Sequence, residues 1–136
     1  MSEENVEIVR RAYEAFDRRD FETVLGLGGP DFELDISAHP IPDFPNVGTG
    51  TEHMAGFFAT YLAGFSDYTL EVTEILDAEG KVVAACHDTA RLGTGVVERD
   101  FAHVWTVTAA SLVRLQVFKT TEEALEAAGL QGQGLD

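Results

Sequence analysis

The chain has 136 residues, 45% of them hydrophobic, and sets nine Lys and Arg against 24 Asp and Glu for a formal net charge of −15. That length suits one domain with a single core. The charge excludes a general nucleic-acid binder, which needs a basic stripe to displace counterions from phosphates, and it argues against docking on anionic membranes.

Residues 3–18 place Val6, Val9, Tyr13 and Phe16 on one stripe of an amphipathic helix, with Glu3 and Glu4 at its start and Arg18-Arg19 at its end, as the helix dipole favours. Asp20 can cap a short second helix, which Gly28-Gly29-Pro30 stops. Phe32 to Ile36 alternates apolar and polar and reads as a strand. The stretch from Ala38 to Gly48 carries three prolines and reads as a loop, with His39 and Asp43 expected to be solvated there. Thr49 with Glu52 predicts a capping box that opens a helix bearing Phe57, Phe58, Tyr61, Leu62 and Phe65. Strands follow at roughly 68–76, 81–92, 96–107 and 112–119, joined by separators short enough for hairpins. Thr120 with Glu123 predicts a last helix, and Gly129 its C-terminal stop. The fold class is α+β, a single domain over 1–130 with a flexible C-terminal tail at 131–136.

Cys86 is the single cysteine, so no intramolecular disulfide can form, and no cluster has metal-site spacing. No cofactor is called for. Met1-Ser2-Glu3-Glu4 offers neither a basic nor an apolar leader, and the longest apolar run, Val82 to Cys86, is far short of a membrane span. A cytoplasmic protein is the expectation.

Asn5 to Phe16 (NVEIVRRAYEAF), Asp20-Phe21 and Pro30 to Glu33 resemble the opening of SnoaL-like proteins, and Phe101 to Thr106 and Glu122 to Leu130 resemble their end. These proteins belong to the nuclear transport factor 2-like, or ketosteroid isomerase-like, superfamily. The resemblance implies a cone-shaped roll, in which a strongly curved antiparallel sheet carries N-terminal helices on its concave face around a cavity. It implies no one activity, because the fold hosts isomerases, cyclases, dehydratases, epoxide hydrolases and plain binding proteins. Ile36 stands where the isomerase resemblance would put the carboxylate base, Ala12 where it would put the tyrosine, and His103 near the protonated acid. Phe118-Lys119 stands where the cyclases carry an Asp. Neither catalytic set transfers.

A hairpin turn centred on Thr94 would put His87 opposite Phe101 and Asp88 opposite Asp100, and the turn at 108–111 would put His103 opposite Gln116 and Trp105 opposite Arg114. One face then gathers His87, Phe101, His103, Trp105, Arg114, Gln116 and Phe118, a mixture of aromatics and hydrogen-bonding heads suited to a small-molecule pocket. It holds no carboxylate. Tyr13, Phe57 and Tyr61 join this ligand-binding wall from the helices. His103 is the candidate catalytic residue, as acid or base or as donor to a ligand oxygen. The other face is small and aliphatic and needs a cover. A homodimer packed through Ala84, Cys86, Ala102, Val104, Leu115 and Val117 is expected to supply it. Three functions fit these residues: a protein binding a small, largely apolar molecule, an isomerase, cyclase or dehydratase, and a dimerisation module with a vestigial cavity.

Overall fold

The computed structural model describes residues 2–130, and the tail expected at 131–136 lies outside them. Helix α1 (Ser2–Asp17) buries the stripe of Val9, Ala12 and Phe16. The chain then turns at Arg19 (φ 61), whose backbone N–H and guanidinium both donate to the Phe16 carbonyl at 2.9 Å. Asp20 caps α2 (Phe21–Gly28), its carboxylate accepting from the Thr23 amide at 3.2 Å.

Strands β1 (Glu33–Asp35) and β2 (Val47–Thr49) pair antiparallel, so the proline-rich segment ends in a strand rather than running as loop throughout. Thr49 is held in that ladder opposite Glu33, which leaves Gly50, at φ 99, to start α3 (Thr51–Leu62) without a side-chain cap. The expected Thr49–Glu52 capping box does not form.

Strands β3 (Ser66–Asp77), β4 (Lys81–Leu92), β5 (Gly95–Thr108) and β6 (Ser111–Phe118) form the meander. The six-stranded sheet runs β2-β1-β6-β5-β4-β3, antiparallel except where β1 lies parallel to β6. Helices α1 to α3 pack on one face around the main core, which holds Leu34, Ile36, Trp105 and Leu115. The α+β cone expected from the chain is therefore present.

The hairpins differ from expectation by one residue, and the consequence is large. Gly93 (φ 64) takes the first central position of a two-residue turn, the place a II′ turn gives to glycine, so Leu92 pairs with Gly95. Cys86 then faces Phe101, and Asp88 faces Arg99. Between β5 and β6 the register slips at Thr106/Val107, where Val113 is the extra residue of a bulge. Beyond it Trp105 pairs with Leu115 and His103 with Val117. Side-chain period is two, so each slip turns a strand over. Ala84, Cys86, Leu115 and Val117 move to the helix-covered core, and His87, Arg114, Gln116 and Phe118 move to the opposite face.

The opposite face is covered from within the chain. Helix α4 (Thr121–Ala127), capped by Thr120 and ended by Gly129 at φ 81, lays Ala124 and Leu125 over Val83, Ala102 and Val104. The expected sheet-to-sheet interface is thus corrected. Four of its six residues lie in the core beneath the helices, and the other two, Ala102 and Val104, are fully buried beside α4. Among the described residues no helix is long and apolar enough to cross a membrane.

Candidate functional site

A cavity of about 220 Å³ opens between α1, α3, the β5–β6 face of the sheet and the segment 36–42. Its walls are mostly apolar: Phe16, Phe57, Phe58, Phe101 and Trp105 supply rings, and Ile36, Leu115 and Val117 fill between them. Pro40, Ile41 and Pro42 form one side as a strap, which Phe44 anchors by packing on His53 (ring centroids 4.8 Å) and Phe57 (5.8 Å). Prolines hold this segment extended at low conformational cost. Ile36, and no carboxylate, faces the cavity from the first strand.

Every second residue of β5 points inward, so Arg99, Phe101, His103 and Trp105 line one wall in order. Two polar centres stand along that line. At the inner one, the Trp105 indole N–H donates to the Tyr13 hydroxyl oxygen at 2.8 Å. The Tyr13 oxygen and His103 Nδ1 lie 2.6 Å apart, and Cys86 Sγ stands 3.9 Å from that oxygen and 3.7 Å from Nδ1, so the hydroxyl donates to Nδ1 in one histidine tautomer and accepts from it in the other, then donating to the thiol sulfur. With Nδ1 accepting, the His103 proton sits on Nε2. In either tautomer Nε2 has no hydrogen-bond partner among the described residues, and the ring lines the cavity. Burial pulls the His103 pKa down to about 3, so the ring is neutral near neutrality. Burial also raises the Tyr13 hydroxyl well above its ordinary range and pushes the Cys86 thiol up to about 12, so both hold their protons.

The second centre is ionic. Asp88 is 1% exposed, yet its carboxylate is fully engaged. The Tyr61 and Tyr68 hydroxyls each donate to Oδ2 at 2.7 Å, and Arg99 donates from Nε to Oδ1 at 3.1 Å and from Nη2 to Oδ2 at 2.8 Å. Arg99 Nη2 also donates to the Tyr61 oxygen at 3.0 Å. Burial raises the pKa of both tyrosines, and the Asp88 charge adds to the rise. His39 faces the same region of the cavity from the strap; burial first, then the Lys119 and Arg99 cations, lower its pKa.

Of the residues expected at the site, Tyr13, Phe57, Tyr61, Phe101, His103 and Trp105 line the cavity. His87, Arg114, Gln116 and Phe118 do not, because the two register slips turn them outward. His87 is bound by Asp100 (2.7 Å) and Glu98 (3.1 Å), whose hydrogen bonds raise its pKa. Arg114 reaches Asp35 at 3.1 Å and Glu33 at 3.5 Å. Phe118 packs against the cluster under α4. The sheet face under the helices, expected to hold no carboxylate, carries Asp88, sunk behind Tyr61 and Arg99. Sequence reasoning put Asp88 on the other face, did not bring Arg99 to that carboxylate or Tyr68 to the cavity, and set His39 in solvent. Charge pairing held a signal for the first two, since a turn shorter by one residue exchanges an Asp88–Asp100 clash for an Asp88–Arg99 pair. Among the described residues no group of three or more His, Cys, Asp or Glu could hold a metal ion.

Residues 9–115 match the family model of the SnoaL-like domain. No curated protein matches the chain. Among solved structures the fold is shared with TerC, co-crystallized with polyporic acid, at 21% identity over 93% of this chain and 98% of that one with a TM-score of 0.76. It is shared with a Catenulispora acidiphila protein of ketosteroid isomerase-like fold in complex with trimethylamine, at 17% identity over 91% and 93% with a TM-score of 0.70. An epoxide hydrolase from M. tuberculosis, described as LEH-like, aligns at 14% identity over 93% and 90% with a TM-score of 0.69. Likeness at these identities carries the fold and no activity. With the cone, its cavity and the matched span together, the chain belongs to the SnoaL-like domain family.

Proposed function

We propose that the chain binds a small, largely apolar molecule of one or two rings, held against Phe101 and Trp105 with one of its oxygens on the His103 Nε2–H. The observation that carries this reading is the neutral imidazole whose Nε2 is left unpaired in an aromatic wall while its other nitrogen is fixed by Tyr13. A polar atom in such a place costs free energy until a hydrogen-bond partner meets it. Size supports the reading as well. An apolar cavity of roughly 150 Å³ takes up benzene, and about 220 Å³ leaves room for little more than a second ring. The neighbours co-crystallised with polyporic acid and with trimethylamine support small-molecule occupancy of this fold, with ligands of unlike chemistry.

The geometry favours binding over an isomerase, cyclase or dehydratase. Such chemistry needs a strong proton acceptor facing the ligand; Asp88 is 1% exposed and spends its oxygens on four donor groups, His103 Nδ1 is held by Tyr13, and the His39 imidazole, its pKa lowered by burial, is a weak base.

Trp105, the one tryptophan, lines the cavity and reports on it directly. Titration with aryl ketones such as acetophenone is expected to shift Trp105 emission saturably, and His103→Phe to weaken binding about tenfold, the loss of one good hydrogen bond. Native mass spectrometry of protein purified without denaturation is expected to show a retained small molecule. Unchanged emission throughout the series, with no retained mass, would overturn the reading.

A further inference from the structure

The Asp88–Arg99 centre has a part that the structure leaves unspent, and it points to the chemical class of the ligand. Arg99 uses Nε and both hydrogens of Nη2 on Asp88 and Tyr61, and Nη1 has no hydrogen-bond partner among the described residues. The side chain is 34% exposed and lines the cavity, whereas Asp88 behind it is 1% exposed. The ion pair is thus oriented, with its carboxylate sunk in the sheet and its guanidinium turned to the cavity. The ring faces of Tyr61 and Phe65, 5.4 and 5.1 Å from the guanidinium carbon, steady it further. His39, on the strap across from it, makes no side-chain hydrogen bond with the described residues and lines the same space. Lys119 and, with the opposite sign, Glu123 and Asp88 act on His39 electrostatically. A chain of net charge −15 therefore sets an arginine and an imidazole, and no carboxylate, on the wall at one end of its cavity.

We propose that this end takes a carboxylate, and that the ligand is an aryl-substituted monocarboxylic acid whose ring lies on Phe101 and whose carboxylate meets Arg99 Nη1 and His39. The inference rests on the cavity being a binding site, as argued above. One free nitrogen and one imidazole can satisfy the two oxygens of a carboxylate, and they are too few for a phosphate dianion. A cationic ligand would meet the guanidinium, and Asp88 behind it already accepts from four donor groups. Arg99 and His103 stand four residues apart on one strand, about 13 Å along the backbone, with Phe101 midway, so an acid with its ring on Phe101 and two to three carbons beyond that ring sets its carboxylate at Arg99.

The test compares cinnamate with its neutral isostere cinnamamide by calorimetry at low salt, on the intact protein. Wild type is expected to bind cinnamate at least tenfold more tightly. Asp88→Asn with Arg99→Gln removes both charges together, so that neither is left buried alone, and is expected to bring the two ligands within about twofold while cinnamamide affinity changes little. Equal affinities in wild type would overturn the carboxylate and leave the binding reading standing. Preference for the acid surviving in the double variant would overturn the role of Arg99. Absence of binding by either ligand, with Trp105 emission unchanged, would sink both readings.

Discussion

The two polar centres of the cavity wall stand four residues apart on β5 and solve the problem of burying polar groups in opposite ways. The inner one, Tyr13, His103 and Trp105, is neutral: three rings pass hydrogen bonds along a chain that ends in one unspent ring nitrogen. The outer one, Asp88, Arg99, Tyr61 and Tyr68, is charged, and its carboxylate is surrounded by donors before any ligand arrives. Burying an ion pair costs more desolvation than burying neutral groups, and single removals leave a charge behind. The neutral centre should therefore be the more tolerant of substitution and the more sensitive to pH.

Truncation tests this contrast most strongly. Asp88→Ala strands the Arg99 guanidinium and both tyrosine hydroxyls and should cost about 3–5 kcal/mol, read from urea unfolding. Adding Arg99→Met should recover part of that loss. A cost below about 1 kcal/mol would mean the pair behaves like one at the surface, and the contrast would fail.

Acid comes next. His103 is neutral in the folded chain with a pKa of about 3, against an ordinary value of 6.5, so the unfolded chain binds its proton first as pH falls. Its stabilisation is whole above pH 6.5 and is lost progressively as pH drops toward 3. Between pH 6.5 and 4 the loss should reach about 3 kcal/mol, with His39 contributing in the same direction; His87, raised by Asp100 and Glu98, acts above pH 6.5, where its stabilisation is lost as pH rises. His103→Gln should flatten most of this slope in unfolding curves taken across the range. A slope unchanged in that variant would place the titration elsewhere.

Tyr13→Phe leaves the Trp105 N–H and His103 Nδ1 without their common partner and should cost about 1–3 kcal/mol. Tyr61→Phe removes one of several donors to Asp88 and should cost less than Tyr13→Phe in the same assay. The reverse order would make the hydroxyl, and not the ion pair, the keystone of the outer centre.

The smallest effect sharpens the register on which both centres depend. Ala109 and Ala110 turn the β5–β6 hairpin at φ 50 and 62, a conformation that suits Asn-Gly. Ala109→Asn with Ala110→Gly should raise stability by about 0.5–1 kcal/mol without altering cavity binding.

Most of the architecture was legible because local chemistry carries it. The stripe of α1, Asp20 before α2, and Thr120 before α4 are short-range signals, and each appears in the structure. Pairing register is different, since it depends on where one residue is added or dropped. Gly93-Thr94-Gly95 can close as a two- or three-residue turn, and the Val113 bulge has no local mark. Those two points decided that Asp88 and Cys86 lie on the sheet face under the helices while His87, Gln116 and Phe118 lie on the other. Strand β5 was assigned its inward face correctly, so the Phe101, His103 and Trp105 row survived. Tyr13, on a helix, was immune to strand register. The charge pattern held the remaining clue, because the expected register set Asp88 against Asp100 and the observed one sets it against Arg99.

Helix α4 has a consequence for motion. It is seven residues long and holds its place chiefly through Ala124 and Leu125, and a helix of that length has no stability of its own in water. Its detachment is thus a local unfolding event, far cheaper than opening the sheet. Each excursion bares Ala102 and Val104 for its duration. Hydrogen exchange should find α4 the fastest-exchanging helix of the fold, and the time it spends lifted sets how often this acidic, well-solvated chain shows another molecule a strip of bare aliphatic sheet.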